Sequence, residues 1–322
     1  MLVLRTSMKP VSICIPAYNE ESAITTTLRS ALNQKNMGEM EVLVCVNGSN
    51  DRTAERVAAL ARKESRVRLL EETEAGKPNA WNVLRREAAS DRIFFGDADV
   101  YFEQGAFAAL SSRLDRGDII AAGANVIPYR GESFVAKMLT PVEPVVQADP
   151  LQICLIGRLY CMENTRVQER LEHYGMQHMP KDLIHEDLWL TMVLGRTNWT
   201  IDPGARVRFR QYRLSEHARI RRREQSAERQ LRDTYGHILA DYPTLLAPPT
   251  IPQIGKLEGW RIKFDRAATF ENKAALVLGH PFRYALDQAV EVARRYGELT
   301  PHKQPQWEFA ASTKQPIHAT AR

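Results

Sequence analysis

Two carboxylates follow an apolar run of the sequence at a spacing of two residues. Phe94, Phe95 and Gly96 lead directly into Asp97 and Asp99. In extended chain, side chains at i and i+2 point to the same side, so these carboxylates would repel each other unless a cation lies between them. Hard oxygen ligands suit Mg²⁺ or Mn²⁺, and these ions also bind phosphates. A short Asp-x-Asp pattern is common, and an ordinary polar loop after a strand explains it equally well when it is taken alone.

Short polar clusters also close the first two apolar runs of the chain. Residues 16–20 read Pro-Ala-Tyr-Asn-Glu, and residues 47–51 read Asn-Gly-Ser-Asn-Asp. Asn47-Gly48 is typical of a turn, and Asp51 is typical of a cap on the helix that follows. Further on, Lys77 follows Gly76 just before a predicted helix, where backbone N–H groups favour an anion. The segment is not a P-loop, because the first glycine of that motif is replaced by Glu71.

A second pair of acidic residues, Glu186 and Asp187, begins a later predicted helix. Negative charge at a helix N-terminus is stabilised by the helix dipole, which is one explanation of the pair. The other is a general base, because a carboxylate can take the proton of an attacking hydroxyl. The neighbouring His173, His178 and His185 fit no standard metal-ligand spacing, so we interpret them as surface or packing residues.

Positive charge is concentrated in one segment of the chain. Residues 203–232 hold ten arginines, no lysine and three glutamates, a net charge of +7 within a chain of net charge +5. Arg219 and Arg222 lie in its most basic part. A solvated helix face is the ordinary explanation of such a run, but arginine is also suited to bidentate contacts with phosphate. The segment has too few large apolar residues for a helix lying in a membrane surface.

The elements that must position these residues alternate between strand and helix through the first half of the chain. The apolar patterns predict strands at 11–16, 41–46, 67–70, 92–95 and 118–126, and helices at 20–34, 51–63, 78–89 and 106–114. This alternation predicts an α/β fold with a mostly parallel sheet flanked by helices. In such sheets ligands bind beyond the carboxyl ends of the strands, which is where the polar clusters lie.

The second half of the chain has a less regular pattern. It predicts a helical stretch at 133–146, a strand at 153–162, and helices at 187–194 and 216–239. A proline-rich linker at 242–252, a small helical extension at 257–295 and a mobile tail from 300 follow. We therefore expect one domain over residues 1–240, and a linker, helical extension and tail over 241–322.

Composition excludes several classes of protein. The chain has 322 residues, of which 44% are hydrophobic and 26% charged, as in ordinary globular proteins. No apolar run reaches the roughly 20 residues that span a bilayer, and the first apolar stretch is too short for a secretory signal. The four cysteines form no Cys-x-x-Cys pair, so we expect buried thiols. We expect a cytoplasmic protein, with peripheral contact at the cytoplasmic membrane face left open.

Taken in order, the motifs from about Val11 to about Arg223 resemble those of the family 2 glycosyltransferases, which have the GT-A fold. The opening strand with Pro-Ala-Tyr-Asn-Glu, the 47–51 loop and the Gly-Lys segment are each similar to a motif of that family. Asp97-Ala-Asp99 is similar to its metal motif, Gly157-Arg158-Leu159-Tyr160 to an acceptor-side strand, and Glu186-Asp187 to its catalytic pair.

The resemblance implies inverting transfer of one sugar from a nucleoside-diphosphate sugar to an acceptor hydroxyl. Asp187 would be the general base, with Glu186 beside it. Asp99 and Asp97 would hold Mg²⁺ or Mn²⁺ against the leaving diphosphate. The resemblance assigns donor binding to Pro16, Tyr18, Glu20, Asn47, Asp51, Lys77, Asp97, Arg219 and Arg222.

The sequence departs from the family pattern at two places. The paired aspartates expected after the second strand are here Val46 and Asn47. An asparagine carbonyl can accept an imide N–H, so UDP is favoured over GDP. The Gln-x-x-Arg-Trp motif of polymerising members is replaced by residues 216–223 without tryptophan. We therefore expect transfer of a single sugar to an acceptor with a free hydroxyl, and an acceptor that is lipid-linked or anionic is left open.

Three alternatives belong to other functional classes. A nucleotidyltransferase would open with a glycine-rich loop, which the Pro-Ala-Tyr-Asn-Glu segment replaces. A nucleic-acid-binding protein would interleave aromatic residues with its arginines, so no nucleic-acid partner is expected. A catalytically inactive nucleotide-sugar-binding scaffold would not need all the expected carboxylates, yet Asp97, Asp99 and Asp187 are present.

Overall fold

The computed structural model describes residues 9–129, 154–210 and 214–238. Its strands are β1 (Val11–Ala17), β2 (Met40–Asn47), β3 (Val67–Glu72), β4 (Arg92–Gly96), β5 (Val100–Phe102), β6 (Ala121–Tyr129), β7 (Leu159–Glu163) and β8 (Trp199–Arg210). Its helices are α1 (Ile24–Leu32), α2 (Thr53–Ala61), α3 (Lys77–Glu87), α4 (Ala106–Leu114), α5 (Asn164–His173), α6 (Glu186–Leu194) and α7 (Leu214–Tyr235).

The eight strands form one mixed sheet in the order β3-β2-β1-β4-β7-β6-β8-β5. The four strands from β3 to β4 are parallel to one another, as the alternating pattern predicts. Strand β7 runs antiparallel to both of its neighbours, and β5 runs antiparallel to β8. The carboxyl ends of β1, β2 and β4 therefore meet at one edge, beside the amino end of β7.

Hydrophobic cores lie on both faces of the sheet. Helices α1, α2 and α4 cover one face, while α3, α5, α6 and α7 cover the other. Strand β1 shows why both faces are covered, because Ile13 and Ile15 point into the first core and Cys14 into the second. Helix α6 is buried on almost all sides, so the Glu186-Asp187 pair at its start is held by a rigid, apolar element.

Three elements were not predicted from the sequence. The Pro203-Gly204 pair within β8 argues against a strand, but the structure accommodates it where the pairing with β6 jumps from Asp202 to Arg206. Strand β5 has only three residues, and its partner β8 is distant in sequence. Helix α5 buries only Val167 and Leu171, which is a weak apolar signal.

The strand predicted at 153–162 is wrong in its first part. Strand β7 begins only at Leu159, and residues 154–158 form a loop that lies against helix α6. The strand does not extend further because the backbone amides of this loop donate their hydrogen bonds to side chains of α6. Leu155 N donates to Thr191 Oγ1 and Gly157 N donates to Asp187 Oδ2, so neither amide pairs with a strand.

The arginine segment is divided between two elements. Arg206, Arg208 and Arg210 lie on β8, whereas Arg219 and Arg222 lie on helix α7, which begins and ends within a few residues of its predicted bounds. Among the described residues, no helix is long and apolar enough to cross a membrane. The predictions for 133–146 and 241–322 lie outside the described residues.

Candidate active site

The loops after β1 and β2 are joined by a network of hydrogen bonds. Asn19 donates its backbone N–H to Ser49 Oγ at 3.0 Å, and its Oδ1 accepts the N–H of Asn50 at 2.9 Å. Asn19 adopts a left-handed conformation with φ 54°, which asparagine tolerates better than most residues. Two of the loops predicted to bind the donor are therefore held together in part by these neutral groups.

Asp51 anchors the same junction. Its Oδ1 accepts the N–H of Thr53 at 2.9 Å, close to the start of helix α2, and its Oδ2 accepts the N–H of Glu21 at 3.2 Å. The Thr53 hydroxyl in turn accepts the N–H of Glu20 at 2.8 Å. The prediction that Asp51 caps the helix is wrong by one residue, because the N-cap of α2 is Arg52 and Asp51 binds the Thr53 N–H from the preceding position. Its carboxylate shapes the loop that carries Tyr18 and Glu20.

Strand β2 ends at the buried Asn47, next to a tight contact with the loop that carries Lys77. Gly48 has φ 69°, and a Cβ placed on it would lie 2.8 Å from Ala75 Cβ. Its N–H donates to the carbonyl of Glu72 at the end of β3. Glycine is required here both for the backbone conformation and for the close approach. The contact keeps the Gly76-Lys77 segment beside the end of β2.

Lys77 joins the two acidic motifs. Its Nζ lies 2.7 Å from Asp97 Oδ1 and 2.6 Å from Glu186 Oε1. Burial opposes the charge of the ammonium group, but Asp97, Glu186 and Asp187 outweigh it and raise the pKa of Lys77 well above its usual value. Residues that are far apart in sequence thus meet at one cation on the edge of the sheet.

Asp97 and Asp99 lie next to each other after β4, with a second cation beside them. Arg158 Nη1 is 3.9 Å from Asp97 Oδ2, and the Arg158 guanidinium stacks on the Phe209 ring at 3.7 Å. Burial and the charge of Asp97 raise the pKa of Asp99 to about 6, although Arg158 and Lys77 oppose the shift. Burial is the largest cause and the charge of Asp97 adds to it, so a further positive charge at this position would favour the ionised form of Asp99.

Among the described residues, three groups donate hydrogen bonds to the Asp187 carboxylate. Oδ1 accepts from His185 Nε2 at 2.8 Å and from its neighbour Leu188 N at 3.0 Å, while Oδ2 accepts from Gly157 N at 2.9 Å. Burial would raise the pKa of Asp187, but His185, Lys77 and the Gly157 N–H hold it well below its usual range. The carboxylate is therefore ionised and fixed in direction.

Aromatic side chains form the floor beneath these charges. Phe95 stacks between Trp81 and Tyr160 at centroid distances of 5.5 and 5.6 Å, and Trp81 Nε1 donates to Tyr160 Oη at 2.8 Å. A cavity of about 10 Å³, lined also by Pro16, Gly96 and Gly157, lies between this floor and Glu186. The apolar floor lowers the local dielectric constant and strengthens the ionic contacts above it.

The donor set at this edge is compatible with a divalent cation. No group of three or more histidine, cysteine, aspartate or glutamate side chains among the described residues is placed to hold a metal. Mg²⁺, however, is commonly held by one or two carboxylates together with substrate phosphates. Asp97 and Asp99 supply such a pair, and the charge of a cation beside them would offset the burial and repulsion that raise the pKa of Asp99. These residues fit a cation that arrives together with a diphosphate.

Most of the predicted site residues lie at this edge of the sheet. The ends of β1 and β2 bring Pro16, Tyr18, Glu20 and Asn47 to the loops near Lys77, Asp97, Asp99, Glu186 and Asp187. For Arg219 and Arg222 the structure describes only the helical backbone of α7, not the side chains.

Sequence reasoning missed two charged contacts of the site. Arg158 was considered only as part of a strand motif, and His185 was interpreted as a packing residue. The position of His185 two residues before Asp187 was the available signal, because a residue at a helix N-cap often contacts the first turn.

A family model described as glycosyl transferase family 2 matches residues 12–186. The chain is 27% identical over 184 residues to UDP-Glc:alpha-D-GlcNAc-diphosphoundecaprenol beta-1,3-glucosyltransferase WfgD from Escherichia coli, covering 57% of this chain and 69% of that one. It is 29% identical over 115 residues to the uncharacterized glycosyltransferase EpsJ from Bacillus subtilis, covering 35% of this chain but only 33% of EpsJ.

Solved structures share the fold. The mannosyltransferase PcManGT from Pyrobaculum calidifontis, solved with GDP-Man and Mn²⁺, has a TM-score of 0.58 and 22% identity, covering 92% of this chain and 88% of that one. Residues 1–349 of TarS from S. aureus give a TM-score of 0.51 and 17% identity, covering 84% and 79%. These glycosyltransferases confirm the GT-A fold expected from the sequence.

Proposed function

The chain belongs to glycosyl transferase family 2, and from this premise we propose that it moves one sugar from a nucleoside-diphosphate sugar to an acceptor hydroxyl with inversion at the anomeric carbon. The observation that carries the proposal is the double contact of Lys77. Its ammonium group touches both Asp97 of the donor-side pair and Glu186 of the catalytic-side pair. One small volume thus holds the groups that would bind a diphosphate and those that would activate a hydroxyl.

In this mechanism Asp187 takes the proton of the acceptor hydroxyl as the acceptor oxygen attacks the anomeric carbon. The bond from that carbon to the diphosphate oxygen breaks on the opposite face, and its electron pair leaves with the diphosphate. Oδ2 of Asp187 is the better proton acceptor, because it accepts one hydrogen bond whereas Oδ1 accepts two. The low pKa of Asp187 keeps its carboxylate ionised over the neutral range.

Two cationic side chains, Lys77 and Arg158, can stabilise the new negative charge on the leaving diphosphate. Lys77 and Arg158 both contact Asp97 and are close enough to share their charge with a bound phosphate. Mg²⁺ or Mn²⁺ held by Asp99 and Asp97 would add Lewis-acid stabilisation of the leaving group. Arg219 and Arg222 remain proposed donor contacts from helix α7.

Two observations favour a particular nucleotide in the donor and a particular class of acceptor. The buried Asn47 at the end of β2 favours a uridine base, whose imide N–H its side-chain carbonyl can accept. The name of WfgD specifies UDP-Glc as donor and a diphosphoundecaprenol-linked sugar as acceptor. We propose a UDP-sugar donor and a lipid-linked or otherwise anionic acceptor, reached by peripheral contact with the cytoplasmic membrane face.

We further propose that residues 1–240 form the transferase domain and that residues 241–322 form an extension.

Calorimetric titration with UDP and with GDP, each with and without Mn²⁺, tests the donor site. We expect UDP to bind to the wild type only weakly without Mn²⁺, and roughly tenfold or more tightly with it. Asp99→Ala should remove the effect of Mn²⁺, whereas Asp233→Asn, a change on the exposed face of α7, should leave it intact. Binding that ignores both Mn²⁺ and Asp99 would refute the assigned cation site, and preference for GDP would refute the role of Asn47.

A further inference from the structure

We propose that His185 is a positioning residue for Asp187, and that helix α7 holds His185 in that role. The inference rests on the proposed function, in which Asp187 takes the acceptor proton. Of the three donors to the Asp187 carboxylate, the N–H groups of Gly157 and Leu188 belong to the backbone. His185 Nε2, at 2.8 Å from Oδ1, is the side-chain donor among them and can be removed by substitution.

The hydrogen bonds to Asp187 leave its two oxygens unequal. His185 and Leu188 N both donate to Oδ1, whereas Gly157 N alone donates to Oδ2. Gly157 also leaves room on that side, since a Cβ there would lie 3.4 Å from Oδ2 and 3.0 Å from Lys77 Nζ. His185 thus occupies one oxygen and directs the other toward the space where a hydroxyl would approach.

The surroundings of His185 favour its charged form. From its own helix it faces Asp187 and Glu186, and from α7 it faces Arg223. Burial and Arg223 lower the pKa of His185, but the two carboxylates outweigh them and raise it to about 9. Lys77 of α3, in contact with Glu186, is the remaining cation that acts on Asp187. An imidazolium therefore lies against the base throughout the neutral range.

Helix α7 fixes the segment that precedes His185. Both backbone groups of Ile184 bond to it, because Ile184 N donates to Gln230 Oε1 at 3.0 Å and Arg223 Nη2 donates to the Ile184 carbonyl at 3.0 Å. Gln230 Nε2 also donates to the carbonyl of Asp182 at 2.8 Å. Helix α7 lies beyond the segment matched by the family model, so this chain supports the base with residues outside that segment.

The first test is the titration of the histidine side chains by ¹⁵N NMR between pH 5 and pH 10. One imidazole, absent in His185→Gln, should titrate near pH 9 in the wild type. In Asp187→Asn it should lose its proton at a pH at least one unit lower, a tenfold change in proton affinity. His178→Gln, which alters an exposed histidine, should leave that titration unchanged. Titration of His185 near pH 6.5 in the wild type, or no response to Asp187→Asn, would overturn the proposal.

The second test is the pH profile of nucleoside-diphosphate release, measured with UDP-glucose and GDP-mannose. In His185→Gln the pKa of Asp187 rises, so kcat/KM relative to the wild type should fall at least about twofold between pH 8 and pH 5. The calorimetric affinity for UDP should stay within twofold. A constant ratio across this range would overturn the proposal, as would a loss of UDP affinity equal to the loss of rate, because a general structural defect produces either result.

Two further variants, Gln230→Ala and Asp187→Asn, distinguish failure of the positioning role from failure of the proposed general base. Gln230→Ala removes one of the two hydrogen bonds by which α7 holds Ile184, without touching the base, and it should shift the pH profile in the same direction by a smaller factor. It also serves if His185→Gln does not fold. If Asp187→Asn retains full transfer, the proposed base is wrong. If Asp187→Asn is inactive while His185→Gln and Gln230→Ala follow the wild-type profile, only the positioning role fails.

Discussion

Strand β4 has a charged cluster at each of its ends, and the two clusters differ in how their charges are paired. At the amino end, Arg92 Nη1 lies 2.6 Å from Asp115 Oδ1, and Arg92 Nη2 lies 3.3 Å from Glu163 Oε1. Arg166 also pairs with Glu163, so two cations face two carboxylates. Burial opposes the charge of Arg92, but these partners raise its pKa.

At the carboxyl end cations and carboxylates from several elements share partners. Lys77 contacts both Asp97 and Glu186, Arg158 contacts Asp97, and His185 contacts Asp187. The pKa of Asp99 is raised while that of Asp187 is lowered. Charge pairing alone therefore does not mark a functional site in this molecule. Two neighbouring carboxylates whose pKa values are shifted in opposite directions do, because such groups can take different chemical roles.

The largest effect is expected from Asp187→Asn at the carboxyl end. Removal of a general base lowers the rate by roughly 10²- to 10⁴-fold, so we expect transfer to fall about a thousandfold while UDP affinity is kept. Nucleotide release under saturating donor measures this change. The control is Asp233→Asn, which removes an exposed carboxylate of α7. A variant that keeps a tenth or more of the activity would contradict the assigned role.

At the amino end, Arg92→Met should reduce stability without altering nucleotide binding. The Arg92 side chain is 2% exposed, and its loss deprives Asp115, Glu163 and Ser111 of a donor, at a cost of about 3 kcal/mol in the free energy of unfolding. Urea denaturation measures it. Arg66→Met breaks an exposed pair with Glu64 and should cost less than about 0.5 kcal/mol. Equal losses in the two variants would show that burial of the pair is irrelevant.

The same Asp→Asn substitution should act in opposite directions at the two ends. Asp99→Asn removes a buried charge that repels Asp97, so we expect the protein to gain on the order of 1 kcal/mol at pH 8 while it loses Mn²⁺-dependent UDP binding. Asp115→Asn removes a partner of Arg92 and should destabilise by a similar amount. Chemical denaturation of both variants at pH 8 measures the two changes in unfolding free energy. Changes in the same direction would contradict the predicted difference between the two ends of β4.

The smallest effect is a pH dependence of stability at the carboxyl end. The folded-state pKa of His185, about 9, lies above its ordinary value of 6.5, so its stabilising contribution is complete below about pH 6.5 and is lost as pH rises through 9. The His185 side chain is 31% exposed, and screening reduces the contribution to roughly 1 kcal/mol. The difference in unfolding free energy between the wild type and His185→Gln should therefore shrink between pH 6.5 and pH 9.5. A constant difference would contradict the contact with Asp187.

The part of the site that the sequence predicted depends on local rules. Carboxyl ends of parallel strands meet at one edge, so Asn47 and Asp97 could be placed together once the strands were recognised. Lys77 could be placed at a helix start because Pro78 follows it, and Glu186 because an apolar run follows it. Each of these inferences needs only a few neighbouring residues.

The part that was missed depends on contacts between distant residues. Arg158 reaches Asp97 because the loop before β7 gives its amide hydrogen bonds to helix α6, which no local pattern reveals. Strand β8 tolerates Pro203 and Gly204 because β6 skips them in its pairing. His185 contacts Asp187 because its own backbone, with φ −134° and ψ 81°, turns the side chain toward the first turn of α6.

The pairing of β5 has a consequence for synthesis of the chain. Val100, next to Asp99, pairs with Phe209, so the segment after the Asp-x-Asp pair finds its partner strand only more than a hundred residues later. While the chain emerges from a ribosome, the parallel strands β1 to β4 can assemble early, because their contacts are closer in sequence. The two aspartates stay next to an unpaired edge until β8 has been made. A nascent chain would therefore complete the strand pairing beside these two aspartates only after Phe209 has been translated.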